Sequence, residues 1–255
     1  MTATLAHSLE RVVVIRAARD TVFRFFTDNA RWAAWWGAGS TIDAKPGGAL
    51  RIVYPGGTEA SGEVVEVAPP ERIVFTYGYA SGKPIAPGSS RVTIHLDPHA
   101  DGTRLRLTHE FDDPAVREDH VQGWRYQLSL FGNVVANEAY AGAADAVDKW
   151  LAAWAIDDDR ARQQALAAIA TSSVQFRDRF SVIDGMAELV PHIGAALRFM
   201  PGIRLQRRGE IRQCQGTVLA DWTAVTVDGS ERGSGTNVFR FNPDGQIDAV
   251  TGFWN

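Results

Sequence analysis

The sequence predicts an α+β protein of two consecutive domains, each with its own sheet and helices. In the first half, short apolar runs separated by PGG, PP and ADG predict antiparallel strands. An apolar stripe through AVREDHVQGWRYQLSLFGNVVANEA then predicts one long helix. In the second half helices come first and three or four strands follow. A length of 255 residues suits two domains of ordinary size.

The first half begins with a predicted strand in LERVVVIRA. After it, the spacing of the apolar residues changes from the period of a strand to that of a helix. Val22, Phe25, Phe26 and Trp32 recur at helical spacing, and Asp20 is placed to cap that helix. Strands follow in ALRIVYPGG, GEVVEVAPPERIVFTYGY and SRVTIHLDPHADGTRLRLTHEF. Each element has one apolar face to bury, which favours an antiparallel sheet packed around the long helix.

The segment YAGAADA (140–146) is small and featureless, so we place the boundary there, giving domains 1–139 and 140–255. Beyond it, AVDKWLAAWAIDDDRARQQALAAIA is helical in composition, SSVQFRDRF predicts a strand and DGMAELVPHIGAALRFMPG a helix. The remaining strands are expected to form an antiparallel sheet, with a hairpin turn at residues 242–245 (NPDG).

Composition excludes several classes of function. The net charge is -4 and the densest basic cluster, QRRGEIRQ, is interrupted by Glu210, so we expect no nucleic-acid partner. A lone cysteine, Cys214, rules out an internal disulfide, and we expect it to be a buried, inert thiol. We find no metal-binding motif, expect no cofactor, and see no apolar run near ~20 residues. A cytoplasmic protein without a membrane partner is expected.

Four motifs in the first half occur together in one order: VFRFFTDNARWAAWW, GEVVEVAPPERIVFTY, GTRLRLTHEF and the GW at 123–124. In these motifs the first half resembles the START-like (SRPBCC) family related to the activator of heat-shock-protein ATPase. That resemblance implies a helix-grip fold, in which a curved antiparallel sheet surrounds a long C-terminal helix and leaves a deep cavity.

Aromatic side chains are the candidate lining of this cavity. Trp32, Trp35 and Trp36 would share one broad helical face, either as ordinary core or as a pocket wall. We predict that Trp36, Tyr77 and Trp124 line the cavity. His109 alternates inward with its apolar neighbours, so it is either a hydrogen-bonded core residue or a ligand contact.

The second half carries WLAAWAIDDD, VQFRDRFSVIDG, GSGTNVFRFNPDGQI and a terminal GFW. In these segments it resembles SnoaL-like polyketide cyclases and ketosteroid isomerases, which have a cone-shaped, nuclear-transport-factor-like α+β fold. That superfamily mixes enzymes with binding modules.

Asp178 is the candidate catalytic residue. It alternates onto one strand face with Val174 and Phe176, where partial desolvation would raise its pKa and suit it to act as a general base. The alternative is that Asp178 pairs with Arg177 or Arg179 at the end of the strand. The resemblance favours the base, because ketosteroid isomerases carry their catalytic Asp on the matching strand.

Four further residues are candidate ligand contacts in this half. Trp150 occupies the position where the isomerases place an oxyanion-binding Tyr, so it is a candidate hydrogen-bond donor, although an indole cannot take a proton. Asn237 shares a face with Phe239 and Phe241 and is a second candidate donor. Trp154 and Trp222 would add apolar surface to the wall of a cavity in this half.

Three functions remain open from the sequence. The first is binding and cofactor-independent transformation, by a cyclase, isomerase or lyase, of a small hydrophobic molecule of polyketide, steroid or aromatic type. The second is a non-catalytic binding or carrier protein, and the third a co-chaperone-like adaptor. We also expect a homodimer formed through the outer sheet face that carries RLQRRGEIRQ.

Overall fold

The chain divides into two compact units, Met1–Ala136 and Asn137–Asn255. The computed structural model describes residues 5–255. The division falls within the last residues of the long helix Pro114–Ala139, slightly before the boundary placed from the sequence. The α+β class is confirmed, since both units combine helices with a sheet.

The N-terminal unit holds seven strands, two complete helices and most of a third helix. Its strands are β1 (His7–Ile15), β2 (Thr41–Ile42), β3 (Ala49–Val53), β4 (Glu59–Ala68), β5 (Arg72–Tyr79), β6 (Ser90–His99) and β7 (Gly102–Phe111). Its helices are α1 (Arg19–Arg24), α2 (Asn29–Trp36) and α3 (Pro114–Ala139). The strands form one antiparallel sheet in the order β1-β7-β6-β5-β4-β3-β2.

The helical stretch before β2 is two helices rather than one. Asp20 lies inside the first turn of α1, and Ala18 at the N-cap makes no side-chain hydrogen bond, so the predicted cap was wrong. Asp28 caps α2 instead, where its carboxylate accepts from the Arg31 N–H at 2.9 Å. The tryptophan-rich helix α2 therefore begins as a separate helix, because the cap satisfies an otherwise free N–H group at its N-terminus.

An aromatic cluster joins α1, α2 and α3. The Phe131 ring of α3 packs edge-on against Phe25 and Trp35 and stacks on Phe26 at 5.0 Å between ring centroids. Trp32 is fully buried and packs against Trp35 and Phe75. This cluster places the C-terminal end of α2 against the middle of α3.

The C-terminal unit contains three helices and six strands. The helices are α4 (Ala143–Ala153), α5 (Asp159–Ala167) and α6 (Met186–Phe199). The strands are β8 (Ala170–Asp178), β9 (Ser181–Asp184), β10 (Arg204–Cys214), β11 (Thr217–Val225), β12 (Glu231–Phe241) and β13 (Ile247–Trp254). The sheet order is β10-β11-β12-β13-β8-β9.

This second sheet is not wholly antiparallel. Strands β13 and β8 run parallel, with Val250 opposite Phe176 and Thr251 opposite Arg177. Side-chain alternation has the same period in both arrangements, so the sequence pattern does not distinguish them. The parallel pairing places the end of β8 beside the end of β13, which brings Asp178 next to the chain's last residues.

In the segment 140–146, Tyr140 is buried against Phe241 and α4 begins at Ala143. One local expectation is corrected. Cys214 is exposed rather than buried, because it ends β10, the outermost strand of its sheet. Within residues 5–255, no helix is both long and apolar enough to cross a membrane.

Arg162 of α5 is a fully buried charge that joins the helices of the C-terminal unit. Its guanidinium donates to the carbonyls of Ile156 and Asp157 before α5, and to the Val190 carbonyl of α6 at 2.7 Å. It also pairs with Asp159 at 2.7 Å. Gly194 makes room for it, since a Cβ there would lie 2.9 Å from Nη1.

Replacing Arg162 with Met is expected to lower the free energy of unfolding by at least about 3 kcal/mol, because several buried carbonyls lose their donors. Urea denaturation measures this loss. The control is Arg160→Met on an exposed position of the same helix, which should stay within about 0.5 kcal/mol of the parent. Equal midpoints for both variants would contradict the assignment.

Candidate functional site

Each unit contains a cavity of the size that small ligands occupy. The N-terminal cavity has a volume of about 480 Å³. Its wall comes from the end of α2, the loop after β3, the end of β5 and one face of α3. Its aromatic lining includes Trp36, Tyr54, Tyr77, Tyr79, His120 and Trp124.

The predicted lining residues Trp36, Tyr77 and Trp124 all lie in this wall. Trp36 and Trp124 pack edge-on at 5.7 Å between ring centroids. The Tyr77 hydroxyl bonds that of Tyr54 at 2.8 Å, and burial raises the pKa of both hydroxyls well above the usual value. The two hydroxyls are therefore uncharged at neutral pH, and the part of the wall that they form is aromatic.

His109 lies behind the wall, not in it. The Trp124 indole N–H donates to His109 Nδ1 at 3.0 Å, so Nδ1 is unprotonated and the neutral ring carries its hydrogen on Nε2. Nε2 then donates to Ser90 Oγ at 2.8 Å, and that hydroxyl donates to the Tyr77 carbonyl at 2.8 Å. With both nitrogens engaged, His109 fastens α3 to the sheet, and the structure does not bring it to the cavity as a ligand contact.

His120 is a wall residue that the sequence reasoning missed. Its Nδ1 lies 2.7 Å from the Val116 carbonyl, while its Nε2 is buried and has no hydrogen-bond partner between residues 5 and 255. Burial lowers the pKa of His120, as it does that of His109. His120 precedes Trp124 by four residues, so helical spacing was the signal that places both on one face.

The C-terminal cavity has a volume of about 560 Å³ and a mostly apolar wall. It lies between the end of β8, the C-terminal half of α6, the segment that follows α6, and strands β11 to β13. Four of the predicted site residues line it: Trp154, Asp178, Trp222 and Asn237.

Asp178 is half-buried and held by two neutral donors. Its Oδ1 accepts from the Phe180 N–H at 2.8 Å and its Oδ2 from the Trp254 indole N–H at 3.1 Å. Neither candidate arginine pairs with it: Arg177 binds Asp184, and the Arg179 guanidinium lies 4.5 Å from the Phe180 ring centroid. Across residues 5–255, no cation forms an ion pair with this carboxylate.

Asn237 lies beside Asp178 with its amide orientation determined by a neighbour. The Trp222 indole N–H, which can only donate, bonds Asn237 Oδ1 at 3.0 Å. The NH₂ group is therefore the part available to a ligand. Gly252 faces Asn237 across the strands, and a Cβ there would lie 3.1 Å from Asn237 Oδ1 and 3.3 Å from Asp178 Cβ. A glycine at this point lets the carboxylate and the amide share one corner of the cavity.

Trp150 does not reach this cavity. It is fully buried between Phe176 and Phe239, and its indole N–H has no hydrogen-bond partner in the described part of the chain. The structure therefore places it in the core, and not where it could donate to an oxyanion. Trp154, the C-cap residue that follows α4, carries the indole that reaches the wall.

Sequence reasoning also missed the histidine of the C-terminal cavity. His192 of α6 lines it and shares a hydrogen bond of 3.1 Å with Ser181 Oγ. The sequence carried no signal for it, because no other residue of α6 was a candidate for the cavity wall. Within residues 5–255, no group of three or more His, Cys, Asp or Glu is arranged to hold a metal ion.

The chain is thus an α+β protein that has an aromatic-lined cavity in each of its two units. Residues 16–136 match the family model of the Activator of Hsp90 ATPase homolog 1-like proteins. This match confirms the resemblance inferred for the N-terminal half. A search of curated proteins finds no match.

Solved structures with similar segments come from several bacteria. A SnoaL-like family protein from Agrobacterium tumefaciens is 24% identical, covering 45% of this chain and 98% of its own, with a TM-score of 0.43. Protein CV1439 from Chromobacterium violaceum is 26% identical over 49% of this chain and 94% of its own (TM-score 0.41). CalU16 from Micromonospora echinospora is 25% identical over 54% of this chain and 80% of its own (TM-score 0.41).

The two buried histidines predict a loss of stability in mild acid. Their folded pKa values lie below 6.5, so as the pH falls below that value the unfolded chain binds protons that the folded chain does not. The free energy of unfolding should therefore fall with pH below 6.5, each histidine contributing up to ~1.4 kcal/mol per pH unit.

His109→Gln should reduce this slope, because it removes one titrating group while retaining an acceptor and a donor. Urea denaturation at about pH 7 and about pH 5.5 measures the difference. The control is His7→Gln on β1, a half-exposed histidine. The same slope in the parent and in His109→Gln would count against the neutral, buried form of His109.

Proposed function

We propose that the C-terminal cavity binds a small, hydrophobic, ring-containing ketone and that Asp178 removes a proton from the carbon next to its carbonyl. The observation that carries this proposal is the environment of the carboxylate. It faces a largely apolar cavity, two neutral donors hold it, and no cation pairs with it among the described residues.

The chemistry requires a base and a donor on the same part of the ligand. Asp178 would take the α-proton, and the electrons of the broken C–H bond would move to the carbonyl oxygen to give an enolate. The Asn237 NH₂ would stabilise that oxygen, since the Trp222 indole already occupies the amide oxygen. Returning the proton to the same or another carbon completes an exchange or an isomerisation without a cofactor.

The apolar wall supports this ligand class. Phe176, Trp154 and Trp222 offer flat surfaces, and Leu197, Ile203 and Leu205 add aliphatic area. A ligand buried there gains free energy from apolar contact, while only a few polar groups orient it. The sequence resemblance to polyketide cyclases and ketosteroid isomerases points to the same class of molecule.

Asp178→Asn tests the base. The probe is 2-tetralone in deuterated buffer, and NMR follows the loss of its α-protons. Wild-type protein should accelerate exchange, and the variant should lose roughly 10²–10⁴-fold of that acceleration, the usual contribution of a positioned base. The matched control is Asp184→Asn, which changes a carboxylate paired with Arg177 and absent from the wall.

An asparagine satisfies only one of the two donors that Asp178 serves, so some stability should be lost. Thermal unfolding of the variant checks that it is folded at the assay temperature. If a folded Asp178→Asn protein exchanges the probe within about threefold of the wild-type rate, the loss is far short of that expected for a base. In that outcome the cavity would belong to a binding or carrier protein.

A further inference from the structure

The N-terminal cavity contains two buried polar atoms without hydrogen-bond partners in residues 5–255. They are the indole nitrogen of Trp36 and Nε2 of His120. Trp36 is 3% exposed and His120 is 9% exposed, and both side chains line the cavity. Buried polar groups are normally hydrogen-bonded, so two open positions in one cavity wall point to a ligand that supplies the missing partners.

The two open positions have opposite hydrogen-bonding character. The Val116 carbonyl can only accept, so His120 Nδ1 carries a hydrogen and Nε2 of the neutral ring offers a lone pair. The indole N–H of Trp36 can only donate. A complementary ligand therefore needs a donor for His120 and an acceptor for Trp36.

The neighbouring polar groups in the wall are already engaged. The Tyr54 and Tyr77 hydroxyls bond each other, the Trp124 N–H bonds His109, and the Gln127 amide donates to the Trp35 carbonyl. Trp36 and His120 are therefore the lining residues whose buried side-chain atoms keep an open hydrogen-bonding position within residues 5–255.

Charge in the wall disfavours an anion. Asp119 is exposed and lines the cavity, and burial keeps His120 neutral at pH 7. Burial raises the pKa of the Tyr77 hydroxyl, which stays protonated, and His109 behind the wall is neutral. Among the described residues of this wall no Lys or Arg offsets a ligand carboxylate, and the aromatic surface suits a flat, uncharged molecule.

We propose that the N-terminal cavity is a second binding site, selective for uncharged aromatic ketones that carry a hydroxyl group. The hydroxyl donates to His120 Nε2, and the carbonyl accepts from the Trp36 indole N–H. This site is separate from the cavity that holds Asp178 and does not depend on chemistry there.

Three probes of nearly the same shape test the two contacts on the full chain. 6-Hydroxy-1-tetralone has both groups, 6-methoxy-1-tetralone lacks the hydroxyl donor, and 5,6,7,8-tetrahydro-2-naphthol lacks the carbonyl. Histidine labelled with ¹⁵N reports the site directly, because accepting a hydrogen bond shifts the His120 Nε2 resonance. Calorimetry gives the affinities.

The hydroxy-ketone should shift the His120 resonance and bind roughly tenfold more tightly than either congener, the effect of one neutral hydrogen bond. His120→Phe should remove the advantage over the methyl ether and leave the affinity of the ether itself within about twofold. His120→Gln retains an acceptor and should restore part of the advantage. Trp36→Phe should remove the advantage over the naphthol.

Two controls separate this proposal from the proposed function. His192→Phe changes the histidine of the other cavity and should leave the His120 resonance response intact, as should Asp178→Asn. An unmoved His120 resonance at saturating hydroxy-ketone would overturn the proposal, as would equal losses of affinity for the hydroxy-ketone and its ether in a folded His120→Phe protein. Either result leaves the deuterium-exchange test of Asp178 unaffected.

Discussion

Polar groups that folding buries need hydrogen-bond partners, and this requirement organises both units. In the N-terminal unit His109 meets it through Trp124 and Ser90, which fastens α3 to the sheet. In the C-terminal unit Arg162 meets it through three carbonyls, which joins α5 to α6 and to the segment before α5. A buried polar group without partners costs more than a hydrogen bond gains, so these contacts restrict how the elements pack.

The three tryptophans of α2 differ in how their indole N–H groups meet this requirement. The Trp32 indole donates to the Arg51 carbonyl at 3.3 Å and that of Trp35 to the Phe25 carbonyl at 3.4 Å. The Trp36 indole nitrogen lines the cavity and has no hydrogen-bond partner among the residues that the structure describes. One short helix thus contributes both to the core and to the cavity wall, because its indoles point toward different neighbours.

The two cavities differ in the charge that they present. The N-terminal wall carries a neutral imidazole and tyrosine hydroxyls, which suit recognition of an uncharged hydroxylated ring. The C-terminal wall carries a carboxylate beside an amide, which suits proton removal next to a carbonyl. Each cavity is lined by residues of one unit, and the two walls present different polar groups on a largely apolar surface.

The sequence by itself determined which residues share a face. Alternation placed Asp178 behind Phe176, aromatic spacing selected Trp36, Tyr77 and Trp124, and periodicity predicted the long helix α3. Only the tertiary structure decided which inward side chains line a cavity and which pack in the core. Trp154 and His120 line cavities, whereas Trp150 and His109 do not. It also decided the parallel pairing that brings Trp254 to Asp178. Periodicity specifies a direction along one element, whereas cavities and hydrogen-bond partners arise where elements distant in sequence meet.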